Sequence, residues 1–156
     1  LFALCGELAG HLAGRPAVGA TLATAGTHLG LAFQAADDAG DLRSGDDLRE
    51  RNVNLGLAVA CGRSTAFALR LARAWSVHRL PADAVAGLVN EAQREGGVAT
   101  SEAVARREIA AALALLSPLA TTPCAEAALR TIVGWADALA TLTMAAGAPS
   151  AGAEAA

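Results

Sequence analysis

The chain has 156 residues, the length of one domain, and is 54% hydrophobic with only 3% aromatics and no tyrosine. Its formal net charge is −3, and no basic stripe or aromatic platform runs along it, which argues against a nucleic-acid-binding surface. Apolar residues recur at spacings of three and four while β-branched residues rarely alternate, so the predicted fold class is all-α.

Leu1 to about Gly14 reads as a helix with Leu4, Leu8 and Leu12 on one stripe, stopped by Arg15-Pro16. A longer helix follows from about Ala17 to Leu42 or Arg43. It carries no charge between Pro16 and Ala36, as expected of a helix inside a bundle. That stretch is long enough to cross a bilayer, but Thr21, Thr24, Thr27, His28, Gln34 and several glycines lower its hydrophobicity, so no integral membrane span is expected. Ser44 to Arg51 is a charged turn with a short helical beginning, and Asn52 to Ala60 a short apolar helix closed at Cys61-Gly62. Ser64 to Arg79 places Phe67, Leu71 and Trp75 four apart. Pro81 then opens a helix that runs to Glu95 and is closed by Gly96-Gly97. Thr100-Ser101-Glu102 starts a helix through Leu116, with Ser117-Pro118 as its stop. Thr122-Pro123 opens the last, with Leu129, Val133, Ala136 and Ala140 along one face to about Met144. Residues 1–146 form the predicted domain, and Gly147 to Ala156 is a small-residue tail expected to be disordered.

The three cysteines, Cys5, Cys61 and Cys124, are odd in number and far apart, which suits buried thiols in a reducing cytoplasm better than a disulfide framework. His11, His28 and His78 are dispersed without a nucleophilic triad around them, and Trp75 and Trp135 read as core anchors. All twelve basic residues are arginine.

The chemistry-bearing feature is Phe33-Gln34-Ala35-Ala36-Asp37-Asp38-Ala39-Gly40-Asp41. On a helix Asp37 and Asp41 are four apart and Asp38 and Asp41 three apart, so the three carboxylates share one face within a turn. Like charges so placed repel by roughly 0.2–0.5 kcal/mol per pair, and carboxylates at a helix C-terminus oppose the macrodipole. A hard divalent cation reverses that sign, and Mg²⁺ is commonly held by one or two carboxylates, waters and substrate phosphates. The plain alternative is a solvated acidic helix end. Gln34 is an amide in an otherwise apolar helix and needs a partner.

The string from Leu29 to Leu42 resembles the second aspartate-rich motif of the trans-isoprenyl diphosphate synthases, in which Phe-Gln precedes Asp-Asp-x-x-Asp by two residues. Leu1 to Gly14 is similar to the helix after that family's Lys-Thr element, Asp47-Leu48-Arg49-Glu50 to its Asp-Leu-Arg-Glu stretch, and Leu55 to Gly62 to the short helix that follows. The resemblance implies a helical bundle of the isoprenoid synthase type, present as a partial domain. It implies magnesium held by Asp37, Asp38 and Asp41, and an allylic diphosphate that condenses with isopentenyl diphosphate. Gln34 would face the substrate, Phe33 the prenyl chain, and Arg51 the diphosphate, with Arg43 and Arg49 as further local cations. A homodimer or heterodimer of the full-length protein is expected from the family's habit.

The departures shape the expectation equally. The family's first aspartate-rich motif and Lys-Thr element have no counterpart, the loop after Asp41 is short, and the lysine due after Asp-Leu-Arg-Glu falls at Asn52. The chain is therefore expected to be the C-terminal part of a synthase, inactive alone. The alternatives are a non-catalytic synthase-like partner or regulatory subunit, and a ligand-free helical interaction module.

Overall fold

A computed structural model describes the backbone of residues 1–145 and side chains up to residue 139, so the expected tail at 147–156 and the side chain of Ala140 lie outside the described residues. The described residues are all-α, with eight helices and no strand. They are α1 (Phe2–Leu12), α2 (Pro16–Ser44), α3 (Asp46–Glu50), α4 (Leu55–Arg63), α5 (Thr65–Trp75), α6 (Ala82–Arg94), α7 (Gly97–Leu116) and α8 (Pro123–Ala145), with a short 3-10 turn at Ser117–Leu119. None of the described helices is long and apolar enough to cross a membrane.

The 29-residue α2 is the axis, about 43 Å long at 1.5 Å per residue. Pro16 sits in its first turn, where a missing N–H costs nothing, and Gly45 ends it in the left-handed conformation at φ 74°, donating its N–H to Asp41 O. Its buried stripe is mostly small: Ala25, Gly26, Ala32, Ala35, Ala36 and Ala39. Small residues let partners approach closely, and α1 and α7 pack on α2 more extensively than any other pair of elements. At the α1–α2 crossing a Cβ on Gly10 would lie 2.1 Å from Gly19 Cα, and one on Gly26 would lie 2.6 Å from Phe2 O. The glycine face of α1 therefore meets α2, while its leucine stripe faces outward: Leu4, Leu8 and Leu12 are all exposed.

The larger side chains gather at the other end of α2. Leu42, Leu48, Leu57, Phe67, Leu71, Val85, Leu88 and Val89 form one core drawn from α2 to α6, joined by Val98 of α7. Phe67 and Leu71 are buried as their spacing predicts, and Trp75 is half-buried, its indole N–H donating to Leu48 O at 3.1 Å. The core thus clamps the short α3 in place, immediately beyond the acidic stretch of α2.

Several boundaries differ from expectation. The helix expected to reach Arg79 stops at Trp75, where Ser76 N–H and Oγ both turn back onto Arg73 O. The helix expected from Thr100 starts at Gly97, because Gly96 at φ 80° ends one element and starts the next while Gly97 packs against the backbone of Gly56. Asn54, not Asn52, caps α4, its Oδ1 accepting from Leu57 N–H at 2.8 Å. The cysteines correct the expectation of buried thiols: Cys5 and Cys124 are exposed and Cys61 half-buried. Cys5 belongs to a helix that buries only Gly10, which leaves it no core to enter.

Candidate functional site

The motif residues occupy the last three turns of α2, and neighbouring elements treat them unequally. Asp37 is exposed, whereas Asp38 and Asp41 are half-buried. Asp38 is engaged twice, its Oδ1 accepting from Gln34 Nε2 at 3.1 Å and its Oδ2 from Leu55 N–H at 2.8 Å. The second bond satisfies an N–H that the first turn of α4 cannot pair internally. The Gln34 amide therefore finds its partner within α2. Among the described residues, the side chains of Asp37 and Asp41 enter no hydrogen bond or ion pair.

Asp47 and Asn54, both almost fully buried, bind the next segments to this end. Asn54 Nδ2 donates to Asp47 Oδ2 at 2.6 Å and to Asp38 O at 3.2 Å, so one amide joins α2, α3 and α4. Burial raises the Asp41 carboxyl above its ordinary value of 3.8, and the charges of Asp37, Asp47, Asp46 and Asp38 push it the same way. Four carboxylates around a fifth make an anionic concentration in a chain whose total charge is only −3.

Of the local arginines, none is placed against Asp37 or Asp41. Arg43 turns into the bundle and pairs with Glu102 of α7, both side chains almost buried, and its Nη1 is buried without a partner. Arg49 pairs with Asp46 at 2.9 Å and donates to Ser44 O. Arg51 has the only positive φ of a non-glycine residue among those described, 61°, a conformation that costs an L-residue roughly 1–2 kcal/mol. Its guanidinium reaches away from α2 to the carbonyls of Val77 and His78. Phe33 is 43% exposed and tilts against Phe2, which also meets Trp135, with ring centroids 6.4 and 6.2 Å apart. The structure thus brings Gln34, Asp37, Asp38 and Asp41 to one helix end and sends Phe33 and Arg51 elsewhere.

The buried polar pairs between α2 and α7 went unrecognised in the sequence. His28 Nδ1 lies 2.7 Å from Glu108 Oε2, and Arg107 donates twice to Oε1 of the same carboxylate. Bonds from His28 and Arg107 hold the Glu108 carboxyl below its ordinary value of 4.5. His28 in the uncharged stretch and Glu108 beside Arg106-Arg107 were each visible as polar residues of helices, but nothing in the order of residues pairs positions eighty apart. Asn54 was visible as a cap before the apolar run at Leu55.

Among the described residues no three His, Cys, Asp or Glu side chains converge closely enough to hold a metal ion by themselves. Magnesium does not require such a cage, since one or two carboxylates, waters and a phosphorylated ligand commonly complete its shell. Asp37 and Asp41, one turn apart and uncommitted, supply that smaller donor set. No protein-family model, curated protein or solved structure matches the chain.

Proposed function

We propose that the acidic end of α2 binds the magnesium-chelated diphosphate of an allylic isoprenoid, as part of a transferase domain that condenses it with isopentenyl diphosphate. The observation that carries this reading is the raised carboxyl of Asp41, held among four other carboxylates and lacking a cationic partner. Such crowding is unfavourable in the ligand-free protein, and a bound divalent cation offsets it. Asp37 and Asp41 are the direct ligands in this reading. Asp38, committed to Gln34 and Leu55, orients the helix end and takes part through its remaining lone pairs. When bound, magnesium would supply Lewis-acid stabilisation of the departing diphosphate.

A second reading, a non-catalytic synthase-like partner, draws on the arginines. Arg43 is paired with Glu102 and Arg51 is directed away from α2 to two carbonyls, leaving the acidic end without a basic clamp for the far side of a diphosphate. Both readings share the binding step. With geranyl diphosphate as the probe, magnesium is expected to raise Tm by roughly 5–10 °C at a hundredfold excess over Kd, and Asp37→Ala should abolish the magnesium-dependent part of that shift. An undiminished shift in the variant would remove the acidic end from consideration. Release of diphosphate on adding isopentenyl diphosphate to the full-length protein separates the enzyme from the partner.

A further inference from the structure

The turn between α5 and α6 and the end of α3 enclose an open-sided hollow of about 550 Å³, lined by Arg49, Arg51, His78, Arg79, Leu80, Pro81 and Ala82. Its lining carries three guanidinium groups and an imidazole, and no carboxylate, in a chain whose formal charge is −3. Arg51 is fixed there by the carbonyls of Val77 and His78, and Arg49 by Ser44 O and Asp46. Both keep N–H groups beyond those bonds, since a guanidinium has five. The side chains of His78 and Arg79 enter no hydrogen bond or ion pair among the described residues. Asp46 balances the charge of Arg49, which leaves Arg51 and Arg79 as the guanidinium groups of the lining without an ion pair among the described residues, and an anion would supply one. The first turn of α6 adds N–H groups that Pro81 does not cap, although Asp83 in the same turn offsets part of the positive helix end, so the arginines carry the site.

We propose that this hollow binds a small organic phosphate without a metal ion, the phosphoryl group on Arg51 and Arg79 and the organic part against Leu80, Pro81 and Ala82. Arginine forks match phosphate oxygens in pairs, and the orientation of Arg51 by two carbonyls lowers the ordering cost of doing so. The volume exceeds what inorganic phosphate fills and falls in the range of small-molecule sites. The inference is independent of the magnesium reading, because it uses neither Asp37 nor Asp41 and operates in a chelator.

The test is calorimetric titration of the protein with phenyl phosphate and with inorganic phosphate, in EDTA and about 0.15 M salt to screen long-range attraction. Phenyl phosphate should bind at least fivefold more tightly than inorganic phosphate, and Arg79→Gln and His78→Gln should each weaken it, the former about tenfold. Arg73→Gln, which removes an exposed arginine of α5 outside the hollow, and Asp37→Asn should leave it unchanged. All the substituted side chains are exposed, so folding is not at stake. Equal affinity for the two phosphates, undiminished binding in Arg79→Gln, or an equal loss in Arg73→Gln would each overturn the proposal. A failure of the magnesium-dependent shift in Asp37→Ala bears only on the acidic end of α2.

Discussion

Two carboxylates with neighbours of opposite charge respond to acid in opposite directions. Burial and the carboxylates of Asp37, Asp47, Asp46 and Asp38 raise Asp41 above 3.8, so its ionised form lowers stability at neutral pH and the penalty lifts as pH falls through the raised value. Glu108, held below 4.5 by His28 and Arg107, contributes stability above that ordinary value and loses it as pH falls through the lowered one. Without divalent cations, Asp41→Asn is therefore expected to raise Tm at pH 7 by roughly 1–3 °C, an advantage that vanishes near pH 3. Glu108→Gln should lower Tm at pH 7 and converge on the parent in acid. Thermal melts across that range decide it, and a pH-independent effect of either change would show that packing, not charge, was altered. At this scale the sequence revealed the acids but not their partners. Asp37, Asp38 and Asp41 look equivalent as a string; the local bond from Gln34 and the arrival of Leu55 set Asp38 apart, and partial burial sets Asp41 apart from Asp37.

Elements were the most legible level, and their errors share a cause. The 3.6-residue period located every long helix, because a face must repeat at that interval wherever it is buried. It did not show which face of α1 is buried. A leucine stripe suggests a core, yet here the glycines approach α2 and the leucines remain in solvent. Glycine at Gly96-Gly97 signalled a stop but also begins α7, since left-handed geometry at one residue and backbone contact at the next serve two elements at once. This separates the glycines into two kinds. Gly26→Ala drives a Cβ into the Phe2 carbonyl and is expected to cost about 1–3 kcal/mol. Gly87→Ala, in α6 with nothing within 4 Å of its would-be Cβ, is expected to gain up to about 1 kcal/mol from helix propensity. Urea titration of both variants reads the difference, and a gain at Gly26 would mean that α1 stands farther from α2.

The molecule as a whole is unevenly built. Its large apolar side chains lie between α2 and α6, where Phe67, Leu42, Leu48 and Leu57 are fully buried, while α1 is attached through small residues and backbone proximity. Close backbone approach that buries only Gly10 of α1 removes little apolar side-chain surface from water, which means a low free energy of local opening. Hydrogen exchange should therefore find the amides of α1 opening well before those of α4 and α5. Equal protection in α1 and α5 would mean that the two open only together. The overall class was legible because composition and periodicity agree on helices. The division into a dense and a thin end was not, since both ends are written in the same apolar alphabet.

The bond from Leu55 N–H to Asp38 makes a hinge pin of one carboxylate oxygen. A ligand that pulls that oxygen out of line frees the first amide of α4, while the bond from Asn54 to the Asp38 carbonyl, a separate acceptor, stays in place. Occupancy at the acidic end is thereby geared to the start of the neighbouring helix, so the exchange rate of a single amide, Leu55, serves as a gauge of whether Asp38 is holding the fold or something else.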